Sequence, residues 1–147
     1  MYVKDMMTVR AVRIPNDSHL HHAAEIVALS EASDLMVVDD EGNFVGVLSE
    51  GDILRAAMPD IDEILQEGGS LDDAFRVLLE KGKALSDRPI MPLVIQDPIT
   101  LSPDDHVAQA TVILVDKMIR RLPVVSDGKL IGTISRADVC RAIVGTL

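Results

Sequence analysis

The sequence predicts an α+β fold built from one β-α-β-β-α unit used twice, with a helical insertion between the copies. Three observations lead there. The segment VRAVRIPNDSHLHHAAEIV, from Val9, aligns with QDPITLSPDDHVAQATVIL, from Gln96, at an offset of 87 residues. Strand-like and helix-like runs follow in the same order in both copies. Apolar residues make up 48% of the chain and aromatics only 2%, so the core has to be assembled from Val, Ile, Leu, Met and Ala.

Each element has its own signal. A short strand ends near Ile14 in the first copy and near Leu101 in the second. An Asp-rich turn with helix-capping chemistry follows, at Asn16 to Ser18 and at Pro103 to Asp105, and opens a helix. A strand at Leu35 to Val38 or Leu122 to Val125 comes next, then a polar turn and a strand at Phe44 to Leu48 or Leu130 to Ile134, which together read as a hairpin. The second turn is one residue shorter, so the offset becomes 86 and Asp52 falls on Asp138. The last helix runs from Glu50 to Ala57 or from Arg136 to Val144. Two such units, each with an apolar sheet face, bury those faces together. The predicted division is repeat 1 over 1–58, a helical insertion over 59–87 and repeat 2 over 88–147. In the insertion Ser70 and Asp73 are spaced as a capping box. Leu71, Ala74, Phe75, Leu78, Gly82 and Leu85 then recur at helical spacing, giving an amphipathic linker helix that lies on its own domain or offers a lid or partner surface.

At 147 residues, folding hides about 70% of the unfolded surface, so neither a metal nor a disulfide is needed. A formal charge of -10 repels phosphate backbones and anionic headgroups, which argues against nucleic acid and membrane surfaces as partners. No apolar run approaches the roughly 20 residues of a membrane helix. A single cysteine, Cys140, and a start without a charged-then-apolar leader make the cytoplasm the expected compartment.

The copies agree best at GVLSEGD (Gly46 to Asp52) and GTISRAD (Gly132 to Asp138). A Ser with an acid three residues on, opening a helix, is a common cap. Its recurrence behind a strand-ending Gly also suits a ligand site. A helix N-terminus with a small hydroxyl takes an anion, a carboxylate takes a ribose diol, and Gly lets the backbone approach a flat base.

Here the chain resembles the CBS domain family, over Val3 to Met58 and Arg88 to Val144. The resemblance implies two domains paired about a pseudo-twofold axis, two clefts for AMP, ADP, ATP or S-adenosylmethionine, and dimerisation. It implies ribose-binding acids at Asp138 and Asp52 and hydroxyls near phosphate at Ser135 and Ser49. The other wall of each cleft would come from the opposite repeat: Thr8 to Arg13 with Ala32 for the Asp138 cleft, and Ile95 to Thr100 with Ile119 for the Asp52 cleft. Arg120, Arg121 and Arg136 stand where the first repeat has Ser33, Asp34 and Glu50. Like charge opposes phosphate. The Asp138 cleft, with Thr8, Arg13, Ala32, Arg121, Gly132, Ser135 and Arg136, is therefore expected to take an adenine nucleotide. The Asp52 cleft is expected to be empty or to take a less anionic adenosyl ligand.

Other features have plainer readings. His19, His21 and His22 read as solvated helix-end histidines rather than metal ligands. Cys140 reads as a small core residue, Met6, Met7 and Met36 as core filler, and Asp39 to Glu41 as a hairpin tip. No residues are arranged for acid-base or nucleophilic catalysis. The expectation is a non-catalytic sensor of an adenosine-containing ligand, acting on an unidentified partner protein, with no required cofactor. The alternative is a ligand-free structural or oligomerisation module that binds a partner protein. The Ala-rich helix from Leu20 to Leu29 makes a homodimer the expected state.

Overall fold

The computed structural model describes residues 1–145, so the last two residues of the expected second repeat lie outside the described residues. The first repeat comprises β1 (Arg13–Pro15), α1 (Leu20–Ser30), β2 (Asp34–Val38), β3 (Phe44–Ser49) and α2 (Glu50–Ala57). The insertion contributes α3 (Ile61–Gln66) and α4 (Leu71–Leu85). The second repeat comprises α5 (Val107–Asp116), β4 (Arg121–Ser126), β5 (Lys129–Ser135) and α6 (Arg136–Ile143). Both copies follow the expected order.

The repeat is exact at the level of strand register. β1 runs parallel to β2 with Ile14 opposite Val37, and β2 runs antiparallel to β3 with a bulge between Val37 and Val38. In the second repeat Leu101 bridges Val124 in parallel, and β4 pairs with β5 with a bulge between Val124 and Val125. Here the first strand shrinks to that single bridge. The change of offset sits in the hairpin turns. Asp127 and Gly128 both have positive φ, 51° and 77°, as a two-residue type I′ turn requires. The longer first turn is held by Asp39, whose carboxylate accepts from Glu41 N, Asn43 N and Asn43 Nδ2. The two tips then touch, with Phe44 N donating to Gly128 O and Lys129 Nζ donating to Glu41 O.

The apolar core is divided in two, and each half borrows from the other repeat. Val3, in the 3₁₀ turn at Val3–Asp5, and Met6, just after it, are buried among Leu101, Leu114, Leu122 and Ile134 of the second repeat. Ile90 and Val94, which flank the 3₁₀ turn at Met91–Leu93, are buried among Ile14, Leu35, Val37 and Leu48 of the first. Each lead-in segment thus runs across to the opposite sheet, where Thr8 pairs with Thr133 and Ile95 with Val47.

The insertion helix forms where its sequence pattern places it. Ser70 caps α4, with Ser70 Oγ accepting from Asp73 N, and the helix packs against α2 and α3. It buries only Val77, leaving Leu71 and Phe75 91% and 58% exposed. α3 is an addition to the sequence reading; Asp60 Oδ1 caps it by accepting from Glu63 N at 2.7 Å. Among the described residues no helix is long and apolar enough to cross a membrane.

Candidate functional site

Both motifs open helices, and both serines cap them: Ser49 Oγ accepts from Asp52 N and Ser135 Oγ from Asp138 N. The two carboxylates live in different surroundings. Asp138 is 3% exposed and fully engaged. It accepts from Ser135 N and Ser135 Oγ at 2.9 and 3.1 Å, from Thr8 Oγ1 at 3.0 Å and from Arg141 Nη2 at 2.7 Å. Asp52 is more open and has fewer partners, accepting from Ser49 Oγ at 2.9 Å and from Arg55. The Arg55 hydrogen bond holds its carboxyl below the usual range.

A cavity of about 250 Å³ opens at the seam between the repeats, on the Ser49 side. Its first-repeat wall includes Asp34, Val47 and Ser49, and its second-repeat wall includes Ile95, Ile99, Ile119, Arg120 and Arg121. Its lining combines apolar side chains with Ser49, Asp34 and the two arginines. Asp34 is the discordant group: burial raises its carboxyl above the usual range, Arg120 and Arg121 oppose that shift, and Glu50 and Asp52 add to it.

The CBS domain profile matches residues 3–59 and 90–145, the two structural repeats. The chain belongs to the CBS domain family. The CBS domain-containing protein CBSX2 of Arabidopsis thaliana is 32% identical over 95% of this chain, which spans 62% of that protein's length. Protein MJ1426 of Methanocaldococcus jannaschii is 26% identical over 98% of this chain and 92% of its own. A crystal structure of CBSX2 superposes with a TM-score of 0.80 at 26% identity, covering 99% of this chain and 95% of that one. Another, CBSX2 in complex with AMP, gives 0.74 at 28% identity, covering 99% and 97%.

The CBS geometry brings some of the expected residues together and separates others. Thr8, Ser135 and Asp138 meet, and so do Ser49, Ile95 and Ile119. Arg121 lies between the two groups: its main chain pairs with Ser135, its guanidinium donates to the buried Thr133 Oγ1 at 2.8 Å, and it also lines the Ser49 cavity. Arg13, expected beside Asp138, instead donates to Leu130 O at the turn end of β5, five residues and roughly 16 Å from Ser135. The reason is direction: the chain from Thr8 to Arg13 leaves Thr133 towards the hairpin tip. Ala32 packs against the first repeat's core. Arg136, expected at the phosphate, turns to the outer face, where it donates to Leu114 O in the last turn of α5. Thr100 is exposed and outside the cavity lining, which Pro98 and Ile99 supply in its place.

Gly132 is small for a reason other than access to a base. A Cβ there would stand 2.7 Å from Thr8 O, and at Gly46 it would strike Ile95 O. Each motif glycine leaves room for the opposite repeat's lead-in strand. Cys140, expected in the core, is exposed in a groove between α5 and α6. Among the described residues no three His, Cys, Asp or Glu side chains gather as a metal site.

Proposed function

We propose that this CBS pair is a non-catalytic regulatory module, acting as a homodimer, that holds an adenosine-containing ligand in the cleft lined by Ser49, Ile95, Ile119, Arg120 and Arg121. The observation that carries this is the seam cavity of about 250 Å³, whose lining includes isoleucines suited to a base and arginines suited to a phosphate. That volume is just below the ~300–1,000 Å³ usual for small-molecule sites. Asp52, the less engaged of the two motif acids, is the candidate for the ribose diol. Support for AMP as first candidate comes from CBSX2, solved in complex with it. Asp138 is a second candidate ribose acid, with Gly132 and Ser135 beside it, provided a ribose hydroxyl takes the place of Thr8. Because the cavity is walled by both repeats, a ligand that fits one arrangement of them better than another shifts the population towards it, and so changes what the dimer presents to a partner protein.

Thermal unfolding with AMP, ADP, ATP and S-adenosylmethionine at about 1 mM tests the reading, since a ligand at 100 times its Kd adds ~2.7 kcal/mol. A rise in Tm with AMP that disappears in Arg120→Ala and persists in Asp138→Asn supports the Ser49 cleft. The opposite pattern moves the ligand to the Asp138 cleft. No shift with any of the four leaves a ligand-free oligomerisation module as the better account.

A further inference from the structure

Half of the chain's net charge sits in the insertion, which belongs to neither CBS repeat. Residues 59–87 carry eight acidic side chains against three basic ones, a net charge of -5 out of -10. Arg76 is already paired with Glu67 and Asp73, and Lys81 with Glu63, while Asp62, Asp72, Glu80 and Asp87 are exposed and stand outside those pairs. Lys83 is the third base. Apolar side chains stand exposed among these acids. On α4 Leu71, Phe75 and Leu79 recur every fourth residue and are 91%, 58% and 50% exposed, a row about 12 Å long. On α3 Ile61 and Leu65 are exposed at the same spacing. Leu79 also lines a groove of about 560 Å³ that α4 forms with α1 and α2, together with Ala24, Leu54, Leu78 and Gly82. The titratable groups of its lining are His21, Glu25 and Lys83. An added Cβ at Gly82 would meet nothing within 4 Å, so the groove is open there.

We propose that this face, the exposed row of α4 with the groove beside it, docks an amphipathic helix of the regulated protein whose apolar row is flanked by Lys and Arg. The inference rests on the partner-binding part of the functional reading and adds the place and the chemistry of the contact. Charge selects the occupant. A second copy of this chain would bring the same -5 to this face, and anionic lipid or nucleic acid would be repelled in the same way, whereas a basic flank is drawn to it. Shape selects its conformation. Every wall of the groove is a helix whose backbone groups are satisfied internally, so an extended segment finds no edge to pair with, while a helix can set side chains at i, i+3, i+4 and i+7 into it. The place also suits a readout of the cleft. α2 packs on α4, and it starts after Ser49, which lines the seam cavity; Leu54, five residues and about 7–8 Å along the same helix, lines the groove.

The chain has no Trp, so a single Trp in a peptide reports its own burial. The probe is a synthetic Leu/Lys peptide with its Leu residues at helical spacing and one Trp among them, and the control has the same composition in scrambled order. On titration with the protein the ordered peptide is expected to shift its emission to the blue and to bind about tenfold more tightly than the scrambled one, the scale of an aromatic anchor. Phe75→Ser with Leu79→Ser is expected to abolish that preference, and Phe75→Leu to keep it. Asp72→Asn with Glu80→Gln is expected to weaken both peptides and flatten their salt dependence. Phe75 and Leu79 are at least half exposed, and circular dichroism checks that their variants keep the fold. Equal binding of the two peptides, or a preference indifferent to the serine substitutions, overturns the docking face and leaves charge attraction alone. A dimer that the serine substitutions dissociate in sedimentation equilibrium overturns it too, and gives the face to a second copy. The response of Tm to AMP is read separately, so its absence sinks the adenosine reading while the peptide titration still decides the docking face.

Discussion

Thr8 and Asp138, 130 residues apart, are joined by a 3.0 Å hydrogen bond that ties the lead-in strand of the first repeat to the helix cap of the second. The carboxylate is buried, so this bond is not simply exchangeable for one to water. Thr8→Val keeps the shape and removes the donor. The expected loss is about 1–3 kcal/mol in urea denaturation, because one oxygen of a buried charge gives up a partner while Arg141 remains. Thr8→Ser is expected to recover most of it.

The motif glycines give a contrast within one molecule. Gly46→Ala and Gly132→Ala drive a methyl into Ile95 O and Thr8 O, and rigid backbone atoms yield less than side-chain tips. Each is expected to cost about 1–3 kcal/mol. Gly82→Ala adds a methyl where nothing lies within 4 Å, inside α4, and is expected to stabilise by about 0.5–1 kcal/mol. Thermal unfolding of the three variants checks the sign as well as the size.

Asp34 is expected to make stability, and the proposed AMP binding, depend on pH. Its carboxyl is raised by burial, against the pull of Arg120 and Arg121. A group raised in the folded state contributes stability that is fully present below its unfolded value and is lost as pH rises through the folded one. Asp34→Asn is therefore expected to raise Tm at neutral pH relative to wild type, with the difference vanishing towards acid. Because Asp34 shares the cavity with Ser49 and Arg121, the same variant is expected to bind AMP more tightly at pH 7, measured by calorimetry.

Asp60 is expected to matter only locally. Asp60→Ala removes the cap on α3, and about 1 kcal/mol of stability with it. Faster hydrogen exchange confined to residues 61–66 is the measurement that checks it.

Elements set by local chemistry were legible in the sequence. The repeat register, the β2–β3 and β4–β5 hairpins and the Ser70 cap of α4 follow from periodicity, turn residues and the S-x-x-D spacing. α3 carried a comparable signal in Asp60 and Glu63, hidden within an acidic stretch. Side-chain direction was harder to read. Arg136 follows Ser135 in the chain, yet one step along a helix turns the side chain by about 100°, far enough to carry it from the cleft to the outer face. Arg13 reaches Leu130 O because the chain leaves Thr8 along β5 towards its turn, so nearness to Thr8 in sequence does not mean nearness to Asp138. The glycines were visible but their neighbours were not: Thr8 O and Ile95 O come from the other repeat, and that crossing is a long-range fact.

The exchange of lead-in segments also sets the order in which the chain can mature. Synthesis from the N-terminus completes the first core once Ile90 and Val94 have emerged, so that repeat can close early. Val3 and Met6 are made before the rest of their core, whose last members are Ile134 and Val139, and they stay unburied until those residues exist. Closing a loop of that length is slow relative to local hairpin formation. Until then Val3 and Met6 have no core of their own, and neither repeat, cut out alone at its sequence boundary, would carry all the residues its core requires.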